Sequence, residues 1–276
     1  MTSRPNAMPN SKIALLVRLL PRAPRELWER LLTFAEFQAD RFTSKGTSVP
    51  VALEIAIQQL GGHLGGSLDG FFYEDGLREI EDRVAQAQSE VLHQPSFDLS
   101  HNADLVLARL AYALCRLQLP EVVVETGVGY GVTTAFLLQA LAVNNKGRLW
   151  SIDLPPLAEG AEEQAGCLVP AILRSRWKRL RGRSRRVLPQ LVSQMTAVDL
   201  FLHDSLHSYR NMISEFHTIW PKLRPGGILL SDDVHMNRAF QDFTAESRVA
   251  LAAVVKEDRR AGCCGAAVKP RDPLPT

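Results

Sequence analysis

The residues best suited to chemistry gather in two short stretches of the second half of the chain. Leu202-His-Asp-Ser-Leu-His-Ser-Tyr209 carries Asp204 and, three residues on, His207. Leu229-Leu-Ser-Asp-Asp-Val234 carries the adjacent pair Asp232 and Asp233. Each stretch closes an apolar run that reads as a buried strand, 198–203 and 227–231. In a parallel sheet the carboxyl ends of neighbouring strands open into one crevice, so the three carboxylates are expected to converge there. Like charges at that range repel unless a cation or hydrogen bonds compensate, and a hard divalent ion such as Mg2+, held by oxygen ligands, meets that need. The competing expectation is that one or two of them cap the helices that follow. His207 falls at the rim of the same crevice. A neutral imidazole there can take a proton from a hydroxyl nucleophile, whose pKa a nearby metal would lower. The plainer alternative is a surface histidine that hydrogen-bonds its own loop. His203, inside its strand, reads as packed, and His235, just past Asp233, is open between a further rim group and a substrate contact.

A second constellation lies upstream. Glu125-Thr-Gly-Val-Gly-Tyr-Gly131 closes a short buried strand and opens a helix. Glycines there let the backbone turn sharply and approach a ligand with no Cβ in the way. The spacing is GxGxG, and the third position of the dinucleotide fingerprint GxGxxG is filled by Val132. Glu125, two residues before Gly127, would repel a pyrophosphate at close range and attract an ammonium group. S-adenosylmethionine carries that ammonium and a sulfonium, and no phosphate. Asp153, at the end of the next strand, can accept hydrogen bonds from both ribose hydroxyls of an adenosine. That feature alone would suit a nicotinamide cofactor equally. The glycine spacing and Glu125 favour the sulfonium donor.

Such residues need a sheet to hold them, and the chain after Pro95 supplies one. Strands are expected at 121–125, 147–152, 178–180, 198–203 and 227–231, with helices at 103–117, 132–141, 184–195 and 209–220. Strands alternating with helices imply a doubly wound α/β sheet covered on both faces. Two last strands, 248–255 and 265–269, lie close enough to form a hairpin at the sheet edge. Before Pro95 the chain reads as helices at 24–42 and 76–94, separated by a glycine-dense connection, Leu60-Gly-Gly-His-Leu-Gly-Gly-Ser67. That connection lacks the GK[ST] ending of a phosphate-binding loop. Leu77, Ile80, Val84, Ala87 and Val91 step by three and four, as a helix-pairing seam between subunits would, or as a face packed on the chain's own core.

With the glycine turn, Ile152-Asp153, and Leu223-Arg-Pro-Gly-Gly227 leading into the fifth strand, residues 99–270 resemble the class I S-adenosylmethionine-dependent methyltransferases. The resemblance implies a seven-stranded Rossmann-like sheet of order 3-2-1-4-5-7-6 with the seventh strand antiparallel. It also implies that Gly127, Gly129 and Gly131 line the methionine and ribose, that Asp153 holds the ribose, and that Ser184 lies beside the adenine. The Asp204, His207, Asp232 and Asp233 pattern is similar to metal-dependent O-methyltransferases of the catechol and glycosyl-antibiotic type. In these an Asp after the fourth strand and an acidic pair after the fifth hold magnesium, and in the sugar-modifying relatives a histidine three residues after the first Asp is the base. Related sequences often read Asp-Gly-Asp-His-Ser-Tyr, whereas Leu206 precedes His207 here. The expected reaction is methylation of a hydroxyl on a small molecule. The expected organisation is an N-terminal helical extension, 1–98, serving as a lid or building a homodimer, then the catalytic domain and a short tail, 271–276.

Composition bounds the alternatives. The 276 residues carry 32 Lys+Arg against 30 Asp+Glu, so net charge does not demand a polyanionic partner. Locally, Arg174, Arg176, Lys178, Arg179, Arg181, Arg183, Arg185 and Arg186 form a dense basic run that could track a phosphate backbone, which keeps an RNA or DNA methyltransferase in view. Only Trp177 is interleaved, so a base-stacking platform is not evident and a solvated face is the simpler expectation. A non-catalytic cofactor-binding protein and a nicotinamide oxidoreductase are the other rivals. Cys115, Cys167, Cys263 and Cys264 show no CxxC spacing, which favours reduced thiols in the cytoplasm. No apolar run approaches the ~18–20 residues needed to span a bilayer. The Ile13-Ala-Leu-Leu-Val17 segment, cut by Arg18 and lacking a small-residue cleavage site, is not expected to be a secretory signal.

Overall fold

Three successive valines make Val122–Thr126 (β1) fit for burial on both faces, and it lies in the middle of the sheet. The computed structural model describes residues 19–21, 23–40, 45–98, 104–258 and 262–271. In it β1 joins Arg148–Asp153 (β2), Trp177–Arg181 (β3), Val198–His203 (β4), Leu223–Ser231 (β5), Leu251–Lys256 (β6) and Cys263–Val268 (β7). The order is β3-β2-β1-β4-β5-β7-β6. Strands β1 to β5 run parallel, and β7 is antiparallel to both β5 and β6. This is the order and the edge hairpin expected from the sequence. Two antiparallel pairings in succession bring β6 back to the direction of β5. The carboxyl ends of β1 to β6 therefore share one edge of the sheet.

Eight helices of eight residues or more surround the strands among the described residues: Pro24–Asp40 (α1), Leu53–Leu64 (α2), Asp75–Val91 (α3), Leu105–Gln118 (α4), Val132–Val143 (α5), Ser184–Ser193 (α6), Tyr209–Ile219 (α7) and Ala239–Glu246 (α8). None of the described helices is long and apolar enough to cross a membrane. Alternation along β4 shows how the layers form. Leu200 and Leu202 pack with α2 to α5, while Phe201 packs with α6 to α8 on the other face. Helix α4 starts where the Asp104 side chain accepts from the Val106 amide at 2.8 Å. It stops at Leu119, which takes a left-handed φ of 48°.

The glycine-dense stretch is not the flexible connection expected. Leu60 to Leu64 complete α2, a helix the sequence reading did not assign, and Gly65 (φ +86°) ends it. A Cβ on Gly61 would meet the Gly66 carbonyl at 2.7 Å, so glycine there lets the chain fold back tightly. Leu77, Ile80 and Val84 of α3 are buried in the same core as α4 and α5, which answers the seam question for the chain's own core. Each such side chain contributes roughly 1.5–3 kcal/mol on burial. Helix α1 differs. Its apolar residues face outward, with Phe34 63% exposed, while its buried residues are Glu29 and Glu36. Residues 1–18, Phe42, Ala103 and 272–276, on which parts of the expectations above fell, lie outside the described residues.

Candidate active site

The turn after β1 is shaped by its neighbours. Gly127 has φ +84°, and a Cβ there would run into the carbonyl oxygen of Asp204. The loops after β1 and β4 therefore touch, and only glycine fits between them. Gly129 (φ +53°) and Gly131 (φ +97°) continue the left-handed path into α5, and a Cβ on Gly131 would lie 2.9 Å from the Gly166 Cα. Beneath them Glu125 is 1% exposed. Its Oε2 accepts from the Ser151 hydroxyl at 2.6 Å and the Thr134 hydroxyl at 2.8 Å, which ties β1 to β2 and α5. Burial pushes its pKa up to about 8 against the pull of those hydroxyls. Glu125 is thus part of the scaffold under the turn, and less an open acidic wall than the sequence implied.

Asp153, at the end of β2, has a buried Oδ2 with no hydrogen-bond partner among the described residues. Burial pushes its pKa up to about 6, against the Val128 and Leu154 amides. Ser184 is buried at the start of α6 and its hydroxyl points to Asn211 Oδ1 at 3.4 Å, toward α7.

The carboxylates after β4 and β5 converge as expected. Asp204, His207 and Asp232 each offer a ligand atom, all within 4.8 Å of one another. Asp232 is 3% exposed and its Oδ1 has no hydrogen-bond partner among the described residues. His207 Nδ1 lies 3.3 Å from Asp233 Oδ2, while its buried Nε2 lies 3.8 Å from Asp204 Oδ1 and has no hydrogen-bond partner among the described residues. Asp233 itself sits at φ +49°, a conformation aspartate tolerates better than most residues. Burial pushes Asp204 well above the carboxylate range, and Asp232 beside it adds to the shift. Burial lowers the His207 pKa against the pull of Asp232, which favours a neutral imidazole near pH 7. Other residues serve the helix starts. Ser208 accepts from the Asn211 amide at the start of α7, and Asn237 from the Ala239 amide at the start of α8. His235 Nδ1 accepts from the Cys263 amide at 3.2 Å and fastens the loop after β5 to β7.

Two acidic residues went unread in the sequence. Glu215 of α7 lies 2.7 Å from Nδ1 of the fully buried His203, and also accepts from Ser205 and Asn211. Burial alone would raise Glu215, but His203, with the Ser184 and Thr126 hydroxyls, brings it to about 2. His203 is packed, as expected, and its ring meets that of His207 edge-on at 5.3 Å. Glu257, just past β6, is 3% exposed, and with Asp232 and Asp233 it forms a second group of ligand atoms within 4.8 Å. A strand end on the crevice edge followed by an acid was the signal available for it.

Residues 124–234, the span from β1 to just past β5, match the family model described as a methyltransferase domain (Methyltransf_24). The sheet that holds this span has the class I methyltransferase fold. Solved structures share that fold. An O-methyltransferase from Bacillus cereus in complex with SAH is 20% identical with a TM-score of 0.53, over 71% of this chain and 91% of that one. TomG from Streptomyces achromogenes, an O-methyltransferase involved in tomaymycin synthesis and solved with SAM, is 20% identical with a TM-score of 0.52, over 71% and 90%. The SAH-bound methyltransferase PaMTH1 of Podospora anserina is 14% identical with a TM-score of 0.52, over 82% and 100%. At these identities the likeness is one of fold. No curated protein sequence matches the chain.

The basic run of the methyltransferase domain is largely consumed within the chain. Arg179 and Arg181 pair with Glu162, and Arg181 also reaches Glu26 of α1 at 2.5 Å. Arg183 and Arg185 both pair with Glu36, and Arg186 pairs with Glu29. Arg174 and Arg176 turn to backbone carbonyls. Helix α1 is docked further by Arg30 on the Pro155 carbonyl, Ser208 on Glu36, and the Tyr209 amide on Asp40. It thereby lies across the carboxyl ends of β2, β3 and β4.

Proposed function

We propose that this methyltransferase moves a methyl group from S-adenosylmethionine to a hydroxyl of a small molecule, with a divalent cation such as Mg2+ held by Asp204, Asp232 and Asp233. The observation that carries the reading is the convergence of Asp204, His207 and Asp232 beside the glycine turn, with an unpartnered oxygen and an unpartnered nitrogen among them. The residues fit both groups. The orphaned Asp153 Oδ2 suits a ribose hydroxyl, and the orphaned Asp232 Oδ1 suits a hard cation. When bound, the donor supplies an electrophilic methyl group, and the cation makes the acceptor hydroxyl more acidic and orients it.

The chain's own residues do the rest. Gly127, Gly129 and Gly131 give the donor backbone access, and Glu125 braces the turn that does so. Ser184 closes the adenine side near α6. His207, held by Asp233 through Nδ1, presents Nε2 to the acceptor and takes its proton as the oxygen attacks. Helix α1 acts as the lid over the donor side. We assign the chain to the cytoplasm, where its unpaired cysteines stay reduced.

Methyl transfer to a panel of hydroxylated small molecules, with and without a chelator, tests this. Chelation is expected to remove activity, and His207→Ala to lower kcat by about 10²–10⁴-fold. Full activity in chelator together with Asp204→Ala overturns the metal, and full turnover of His207→Ala across pH ~6–8 overturns the base.

A further inference from the structure

We propose that Glu257 is an additional ligand for the divalent cation, binding it together with Asp232 and Asp233 from the β6 side of the crevice. The inference rests on the reading that this crevice holds such a cation. The topology places Glu257 there. Strand β6 runs in the direction of β5, so the residue after Lys256 emerges at the same edge as Asp232 and Asp233. The hairpin fixes it: the Glu257 amide donates to the Gly262 carbonyl at 3.0 Å, and a Cβ on Gly262 would strike the Glu257 carboxylate.

Its surroundings point to a ligand. Glu257 is 3% exposed and its Oε1 is buried with no hydrogen-bond partner among the described residues. The nearest group able to share that space, Asp232, is equally buried and has its own unpartnered Oδ1. No ion pair joins Glu257 to a cation among the described residues. Buried charges are ordinarily paired or bound to metal. Three carboxylates offering oxygens within 4.8 Å form the donor set a hard divalent ion takes. The competing account is a proton shared between Glu257 and Asp232, which serves only the fold.

Mn2+ titration followed by electron paramagnetic resonance, which reports free ion without any turnover, separates the two. Glutamine copies the shape of a protonated glutamate, so a structural proton predicts that Glu257→Gln binds Mn2+ as the wild type does, and that result overturns the proposal. A ligand predicts at least about tenfold weaker binding. Glu257→Ala, read in the same titration, decides the matter if the glutamine variant does not fold. Asp232→Asn is the reference. If it abolishes Mn2+ binding while both Glu257 variants bind normally, Glu257 alone fails. If wild-type protein binds no Mn2+, the metal reading and this inference fall together.

Discussion

Two regions of the molecule concentrate charge, and they are built in opposite ways. Along α1 and the start of α6, cations and carboxylates alternate across an interface, and Arg181, Arg183, Arg185 and Arg186 each meet a glutamate of α1. In the crevice at the ends of β2, β4, β5 and β6 the charges are nearly all acidic, and Asp153, Asp232 and Glu257 each keep a buried oxygen without a partner among the described residues. The first arrangement pairs its charges within the chain and leaves one buried donor, Arg183 Nε, without a partner among the described residues. The second is incomplete, since an unpartnered buried acceptor costs about 1–3 kcal/mol that something outside the chain can relieve. Charge density in the sequence pointed most loudly at the basic run. Lack of a partner, visible only in three dimensions, points at the crevice.

The sharpest way to break this contrast is to disturb the frame of the crevice without touching its charges. Gly127→Ala places a Cβ against the Asp204 carbonyl at a φ that alanine resists. It is expected to destabilise the protein by about 3 kcal/mol or more, with loss of donor binding, as backbone strain and a backbone clash combine. Thermal unfolding checks the first effect and calorimetry with S-adenosylhomocysteine the second. A folded Gly127→Ala variant with normal stability would mean that the β1 and β4 loops are free to separate.

How far the sequence could reach depended on the kind of signal. Buried strands announce themselves: β4 was legible to the residue, and the glycine turn and the carboxylates at the strand ends followed from it. Helix α2 was hidden because its Gly61 and Gly62 mimic a loop. Gly61 is helical because its close approach to the 66–68 turn overrides propensity. The outward apolar face of α1 was hidden for a related reason. Spacing gives a helix its two faces but does not say which one docks, and here the basic run recruits the acidic one. Glu257 lay beyond a single-strand reading, because only the β5, β7 and β6 pairing returns it to the crevice.

A smaller effect tests the crevice on its donor side. Asp153 has its pKa raised from 3.8 to about 6 by burial. The contribution of this group to stability is therefore full below about pH 4 and is lost as pH rises through about 6. Ligand binding runs the other way, since the ionised carboxylate is the better acceptor for ribose hydroxyls. Affinity for S-adenosylhomocysteine is expected to level off above about pH 6 and to fall toward tenfold per unit below it. Asp153→Asn should weaken binding by about tenfold, the worth of one charge-assisted hydrogen bond, and flatten that pH dependence without lowering the melting temperature. Calorimetry at pH ~5, 6 and 7 reads all three. Unchanged affinity would remove Asp153 from the donor site.

The smallest effect belongs to the other region and completes the contrast. Arg181 is 46% exposed although its partner Glu26 is 12% exposed, so solvent and salt screen much of their attraction. Arg181→Ala is expected to cost less than about 1 kcal/mol, a melting shift of no more than about 4 °C for a chain this size. The difference should shrink further in high salt. Donor affinity should not change, because Arg181 closes an interface and leaves no acceptor waiting in the crevice. A tenfold loss of S-adenosylhomocysteine affinity in Arg181→Ala would show instead that the docking of α1 and the filling of the crevice are one event, and that the two regions are coupled.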